Sequence, residues 1–156
     1  MKPAIRLAPI DKTNWETVVD LELEEAQEHF VASNAYSLAE AAYETACTPF
    51  AVYAGDEIVG FVMFASLAAE GLAGEYMICR LMTDKRHQKK GYGRKALDRT
   101  IAHISSAPGC KKIKICYHPQ NPVAKDFYAS FGFVEVGLDE DGEMIAELAP
   151  PSQTSP

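Results

Sequence analysis

The chain has 156 residues, of which 47% are hydrophobic and 24% charged, and its formal net charge is -7. That length suits one domain with a sizeable core, and no apolar run approaches the roughly 20 residues needed to cross a bilayer. The N-terminus lacks the apolar core of a signal peptide, so a cytoplasmic protein without a membrane partner is expected; the acidic balance weighs against a nucleic-acid binder and suits a cationic ligand.

Residues 4–7 read as a first short strand. Thr13-Asn14-Trp15-Glu16 has the form of a capping box, and Trp15, Val19, Leu23, Ala26 and Phe30 recur near helical spacing. That spacing predicts one helix burying those five residues and exposing Glu16, Asp20, Glu22, Glu24, Glu25 and Glu28. Ser37-Leu38-Ala39-Glu40 repeats the capping form and predicts a second helix over 38–46, stopped at Thr48-Pro49. The β-branched and aromatic runs 50–54 and 58–65 flank Gly55-Asp56-Glu57 and predict a hairpin. Further strands are expected at 76–83 and 111–118. Asn121 and Pro122 take the N-cap and first position of a last helix that Gly132 ends, before closing strands at 133–136 and 143–148. The domain therefore covers 1–149, with a flexible tail at 150–156. Cys47, Cys79, Cys110 and Cys116 form no Cys-x-x-Cys pair and have no His at zinc-finger spacing, which predicts reduced thiols and no metal.

Between the strand at 76–83 and a helix marked by Tyr92, Ala96, Leu97 and Ile101 lies Gln88-x-x-Gly91-x-Gly93. Glycines at a helix start let an anion approach the unpaired N–H groups of the first turn. Seven of the chain's 15 Lys and Arg lie between Lys85 and Arg99. A phosphate site is the simplest account; a glycine-led helix beside a solvated basic face is the plainer one. A Walker loop is absent, and Ala96 stands where a dinucleotide fingerprint needs its third glycine.

Gln88-x-x-Gly91-x-Gly93 resembles the coenzyme A pyrophosphate loop of the GNAT superfamily of N-acetyltransferases. Asn121-x-x-Ala124-x-x-Phe127-Tyr128-x-x-x-Gly132-Phe133 resembles that family's second hallmark, in the expected order. Stretches at 30–34, 37–41, 49–50, 59–63, 78–82 and 141–143 are similar to its bacterial spermine/spermidine N-acetyltransferase branch. The chain departs from that branch at Tyr76-Met77-Ile78, where Tyr-Trp-Ile is usual, and at Gln88-Lys89-Lys90-Gly91, where Gln-Gly-Lys-Gly is usual.

The resemblance implies an α/β fold of the α+β type: a mixed, mostly antiparallel sheet of six to seven strands flanked by about four helices, with strands 76–83 and 111–118 parallel and splayed. It implies an acetyl-CoA-dependent N-acetyltransferase acting by direct attack of a primary amine, with a small cationic acceptor such as spermidine or spermine as partner. An aminoglycoside, an amino acid or a protein N-terminus is the alternative acceptor, and a non-catalytic coenzyme-binding module the alternative class. Homodimerisation stays open. The backbone of Gln88, Lys89, Lys90, Gly91, Tyr92 and Gly93 is expected to bind the pyrophosphate, with Lys90 and Arg94 reinforcing it. Leu81 and Thr83 would pair with pantetheine, Leu81 and Met82 would offer N–H groups to the oxyanion, and Asn121, Ala124 and Phe127 would complete the coenzyme site. Tyr128 is the expected general acid and Glu75 the expected base. Glu24, Glu25, Glu28, Glu75 and Glu143 are the carboxylates expected to hold the acceptor.

Overall fold

Seven strands join into one sheet in the computed structural model, which describes residues 2–151. They are β1 (Ile5–Pro9), β2 (Cys47–Ala54), β3 (Glu57–Ser66), β4 (Glu75–Thr83), β5 (Lys112–Tyr117), β6 (Val134–Leu138) and β7 (Met144–Leu148), in the order β1-β2-β3-β4-β5-β7-β6. Four helices accompany them: α1 (Trp15–Val19), α2 (Asn34–Tyr43), α3 (Tyr92–Ser105) and α4 (Ala124–Ala129). β4 and β5 pair in parallel across the α3 crossover, and the other described pairs are antiparallel. This is the expected architecture. The flexible-tail expectation for 150–156 falls, from residue 152 on, outside the described residues.

The run 61–65 is continuously apolar because both faces of β3 are covered. Val62 and Phe64 face α3, whose Ala96, Leu97, Ile101 and Ile104 form its buried stripe, while Phe61 and Met63 pack with Val18 and Leu21 on the other face. No described helix is long and apolar enough to cross a membrane.

The single helix expected over 15–30 is broken. α1 ends at Val19, and a 3-10 helix follows at Glu25–Phe30. Val18 and Leu21 are buried, whereas Trp15 is 45% exposed. Asn14 spends its side chain on the preceding turn, accepting from Asp11 N–H and donating to the Pro9 carbonyl, so no side chain caps α1. Further on, Glu22 N–H donates to Asp84 Oδ2 (3.0 Å) and Lys85 N–H donates to the Glu22 carbonyl (2.7 Å). Both backbone groups of Glu22 are thereby taken from the helix ladder. α2 also starts earlier than the spacing suggests: Ser33, not Ser37, caps it, accepting from Tyr36 N–H at 3.1 Å. At α4, Asn121 Oδ1 accepts from the N–H groups of Val123 and Ala124, so the helix begins after Pro122. Gly132, with φ 102°, ends that segment as expected.

Two irregularities open the middle of the sheet. β4 and β5 pair from Glu75↔Lys112 to Ile78↔Ile115 and then separate, β4 continuing beside β3 and β5 beside β7. At the same level β4 carries a bulge: Met63 faces Arg80 and Phe64 faces Ile78, leaving Cys79 as an extra residue that bends the strand.

Candidate active site

The sequence motifs converge on the gap between the separated strands. The loop after β4 is held from below by Asp84, 1% exposed, which accepts from the N–H groups of Arg86 (2.9 Å) and Glu22 (3.0 Å) and from Arg86 Nε (2.8 Å). Burial pushes its carboxyl up, but the bonds from Arg86 and Glu22 outweigh this and hold it below the usual carboxylate range. Gln88 Nε2 donates to the Thr83 carbonyl (3.0 Å) and to Gln27 Oε1 (2.9 Å), pinning the loop to β4 and to the 3-10 helix. Lys89 (φ 65°) and Gly91 (φ 82°) then turn the chain through left-handed conformations into α3.

The first backbone bond of α3 runs from Lys95 N–H to the Gly91 carbonyl, and no side chain caps its start. The N–H groups of Tyr92, Gly93 and Arg94 are left as donors. Gly91 and Gly93 line a groove of about 700 Å3 at this point, so an anionic group fits against the helix start. The groove continues past Thr83, Met82 and Leu81 of β4, with Val123 and Phe127 on the α4 side and Leu23, Ala26 and Phe30 from the broken helical segment. Past Ile78 the edge of β4 toward β5 has no strand partner, so alternate residues offer N–H and C=O groups to a ligand lying along it. The arrangement suits a thin, mostly apolar chain with phosphates at one end.

A second cavity of about 230 Å3 adjoins the groove. Phe30, Val31, Leu81, Asn121 and Tyr128 line both. Tyr128 therefore stands at the junction. Its ring stacks on Tyr117 (centroids 5.4 Å, 22°) and meets Phe127 and Phe133 edge-on, and its hydroxyl has no hydrogen-bond partner among the described residues. Burial pushes its pKa up to about 12, so the hydroxyl keeps its proton at neutral pH. Tyr117 donates to Glu135 Oε1 at 2.5 Å, which fixes the ring behind Tyr128.

Glu143 is the carboxylate lining the small cavity and Arg80 its cation. Asp139 Oδ1 accepts from Glu143 N–H at 2.8 Å, and the Cys116 thiol and the carboxylate oxygens of Asp139 and Glu143 all lie within 4.8 Å of one another. Burial, then the Asp139 and Glu143 charges, push the Cys116 thiol up to about 11; burial pushes Cys79 up to about 12. Both thiols line the cavity and stay protonated, which makes them poor nucleophiles.

Leu81, Met82, Thr83, Gln88, Lys89, Gly91, Tyr92, Gly93, Arg94, Asn121, Ala124, Phe127 and Tyr128 are brought together along the groove. Lys90 is not among its lining residues; it is exposed, with its carbonyl accepting from Lys2 Nζ. Arg94 lines the groove, yet its guanidinium is committed to α4, donating to Ser130 Oγ (2.8 Å) and lying over Phe131 (4.7 Å). It braces α4 against α3 rather than standing free for a phosphate.

Glu75 is not brought to the site. It sits at the closed end of the β4–β5 pair, lines neither cavity, and has Lys114 Nζ at 3.0 Å and Lys112 Nζ at 3.9 Å. The hydrogen bond from Lys114 holds its carboxyl below the usual range, which weakens it as a base. Glu24 caps the 3-10 helix and Glu25 and Glu28 lie on it; all three are exposed and line neither cavity, while Leu23, Ala26, Gln27 and Phe30 of the broken segment line the groove. Of the five expected acceptor carboxylates, Glu143 alone reaches the small cavity. Arg80, Tyr117 and Asp139 are the residues that spacing did not single out; Tyr117 carries only the alternation of a buried strand, and Asp139 only a turn.

The acetyltransferase (GNAT) family model matches residues 15–133. The chain belongs to that family. It is a GNAT N-acetyltransferase, and acetyl-CoA is the co-substrate typical of such enzymes. The chain is similar to the spermine/spermidine N(1)-acetyltransferase of Bacillus subtilis (strain 168), 29% identical over 151 residues that cover 93% of this chain and 99% of the relative. In fold it is similar to the spermidine N-acetyltransferase of Vibrio cholerae solved with CoA and spermine, with a TM-score of 0.74, 16% identity and coverage of 94% of this chain and 95% of that one. It is similar also to the aminoglycoside acetyltransferase AAC(6')-Ib solved with coenzyme A, with a TM-score of 0.78, 17% identity and coverage of 94% and 95%. The groove, with a helix start open to an anion leading to an unpaired strand edge, suits an acyl-CoA, which carries phosphates at one end of a thin chain.

Proposed function

We propose that this GNAT enzyme acetylates a primary amine of a polyamine, with spermidine and spermine as the acceptors to expect. Acetyl-CoA would lie in the larger groove, its pyrophosphate on the N–H groups of residues 92–94 and its pantetheine along β4 near Leu81, Thr83 and Asn121. The thioester would then reach the junction at Tyr128. The acceptor enters through the small cavity and attacks the thioester carbon directly: a C–N bond forms, the C–S bond breaks, and a proton passes from the amine nitrogen through solvent to the departing sulfur, which Tyr128 holds by a hydrogen bond.

The observation that carries the proposal is Glu143, backed by Asp139, in a cavity that joins the groove at Tyr128. A paired carboxylate site attracts an alkylammonium and is useless to a neutral acceptor. The volume supports a linear arm: the cavity, at about 230 Å3 against about 700 Å3 for the groove, suits an aminoalkyl chain better than several fused or linked rings. The relative named for spermine and spermidine supports the same choice.

A thiol-release assay with acetyl-CoA and a panel of spermine, spermidine, a short monoamine, an aminoglycoside and a peptide N-terminus tests this. Spermine or spermidine should give the highest kcat/KM. Glu143→Gln should raise KM for the polyamine about five- to thirtyfold, the worth of about 1–2 kcal/mol for one partly buried charge contact. Its effect on the monoamine should be smaller, and the difference should shrink in high salt. Preference for the aminoglycoside or the peptide would overturn the polyamine assignment.

A further inference from the structure

The bulge at Cys79 interrupts the β3–β4 register, and the residue after it binds the bulged residue's own carbonyl. Arg80 Nη1 donates to the Cys79 carbonyl at 2.8 Å. The same guanidinium reaches α2: Nε donates to Ser37 Oγ at 3.1 Å, and Nη2 lies 3.5 Å from Glu40 Oε1. Ser37 is fully buried and donates its own proton to the Ser33 carbonyl (3.0 Å), so the hydroxyl is used as both donor and acceptor. Ser33 is in turn the cap of α2.

Through these bonds one side chain ties together two walls of the small cavity. One wall is Cys79, Arg80 and Leu81 of β4; the other is Phe30, Val31 and Ala32, which lead directly into the Ser33 cap. The planar fork sets three different nitrogens against three separate acceptors, a spread that the single nitrogen of a lysine would not reach at once. A second consequence concerns charge. Arg80 lines a cavity that must admit a cation, and Glu40 is the carboxylate beside it.

We infer that Arg80 is a positioning and specificity-determining residue for acetyl transfer: its guanidinium fixes the β4 bulge and the width of the acceptor cavity, while Glu40 cancels the charge that would otherwise repel a polyamine. This rests on the acceptor entering through the small cavity, as proposed above. It adds three residues, Arg80, Ser37 and Glu40, that make no contribution to the coenzyme groove.

The test uses Arg80→Lys and Glu40→Gln in the full chain, with coenzyme A affinity, Tm, and kcat and KM for spermidine and a short monoamine. Arg80→Lys should lower kcat for both amines about ten- to a hundredfold, the scale of a small misplacement of reacting groups, with coenzyme A affinity changed less than about threefold. Glu40→Gln keeps the bonds to Ser37 and the Cys79 carbonyl but uncovers the charge. It should raise KM for spermidine about three- to tenfold, less for the monoamine, with kcat held and the gap closing in salt. Arg80→Lys with wild-type kcat, or Glu40→Gln with an unchanged spermidine-to-monoamine ratio, would overturn the inference. Parallel loss of coenzyme affinity, Tm and turnover in Arg80→Lys would overturn it too, in favour of a purely structural arginine. If the amine panel selects a different acceptor, the polyamine assignment fails by itself, and the Arg80→Lys prediction is read on that acceptor.

Discussion

Tyr128→Phe should lower kcat about a hundred- to a thousandfold, the usual loss when one donor to developing charge is removed, while coenzyme A affinity stays within about threefold. The ring loses one oxygen and no packing, since its stacking on Tyr117 and its contacts with Phe127 and Phe133 involve carbon faces and edges. The raised pKa refines the acid role expected of this residue. With its pKa at about 12 the phenol is a weaker acid than a thiol, whose reference value is about 8.5, so full transfer to a departing thiolate would be uphill. Tyr128 is better suited to hold the sulfur by a hydrogen bond until the amine's proton arrives. The pH dependence follows with a definite sign. A free alkylamine with a reference pKa of about 10.4 is neutral in roughly one molecule in a few thousand at pH 7, so log kcat/KM should rise by about one per pH unit through the neutral range. Tyr128 remains protonated throughout and should add no descending limb below about pH 10. Steady-state profiles of both proteins check this: the Phe variant should follow the same slope at a lower level. A new descending limb near neutrality in the wild type would contradict the assignment.

Gly91→Val should abolish measurable coenzyme A binding or weaken it about a hundredfold, and should also destabilise the fold by about 1–2 kcal/mol, because a β-branched residue is strained in the left-handed region that φ 82° represents. A Cβ at Gly91 meets no atom within 4 Å, so the added methyls stand in the groove rather than against protein. Gly93→Ala is the control. Gly93 has no left-handed φ, and its added Cβ would stand 3.4 Å from Thr83 Oγ1, an ordinary contact. Alanine also favours the helix by up to about 1 kcal/mol over glycine. Titration of coenzyme A together with thermal melts should therefore show Gly93→Ala with Tm unchanged or raised and affinity within about threefold, the methyl standing beside Thr83 Oγ1. Retained affinity in Gly91→Val would mean that the anion sits elsewhere.

How far the sequence foretells the site depends on the range over which each residue's role is decided. The placement of Gln88, Gly91 and Gly93 along the groove is legible because a glycine-led helix start is a local device, written within six residues. Tyr128 is legible for the same reason within its motif. Glu25 and Glu28 are misplaced because the helix carrying them is broken by Asp84 and Lys85, about sixty residues away, binding both backbone groups of Glu22. Glu75 looks well placed at the start of the central strand until its neighbour is known: parallel pairing brings Lys112 and Lys114 of β5 to that end and leaves the opening at the other. Arg80 falls in a stretch similar to the spermine/spermidine branch, but nothing in that stretch gives it a role. Its role depends on a one-residue bulge, and a bulge is fixed by pairing across strands rather than by the residues within one.

A sheet normally keeps its slowest-exchanging amides at its centre, where each strand has neighbours on both sides. Here the fourth of seven strands in spatial order has a free edge beyond Ile78, so the interior of the sheet contains a short length of solvent-facing rim. Alternate amides between Cys79 and Thr83 should exchange hydrogen on the timescale of a frayed margin in the free protein and slow sharply when acetyl-CoA lies along them. In the proposed binding mode the co-substrate acts as a temporary eighth strand. The enzyme's most protected state is then its acetyl-CoA complex, and its ligand-free form keeps an unpaired stretch of backbone beside the proposed reaction centre.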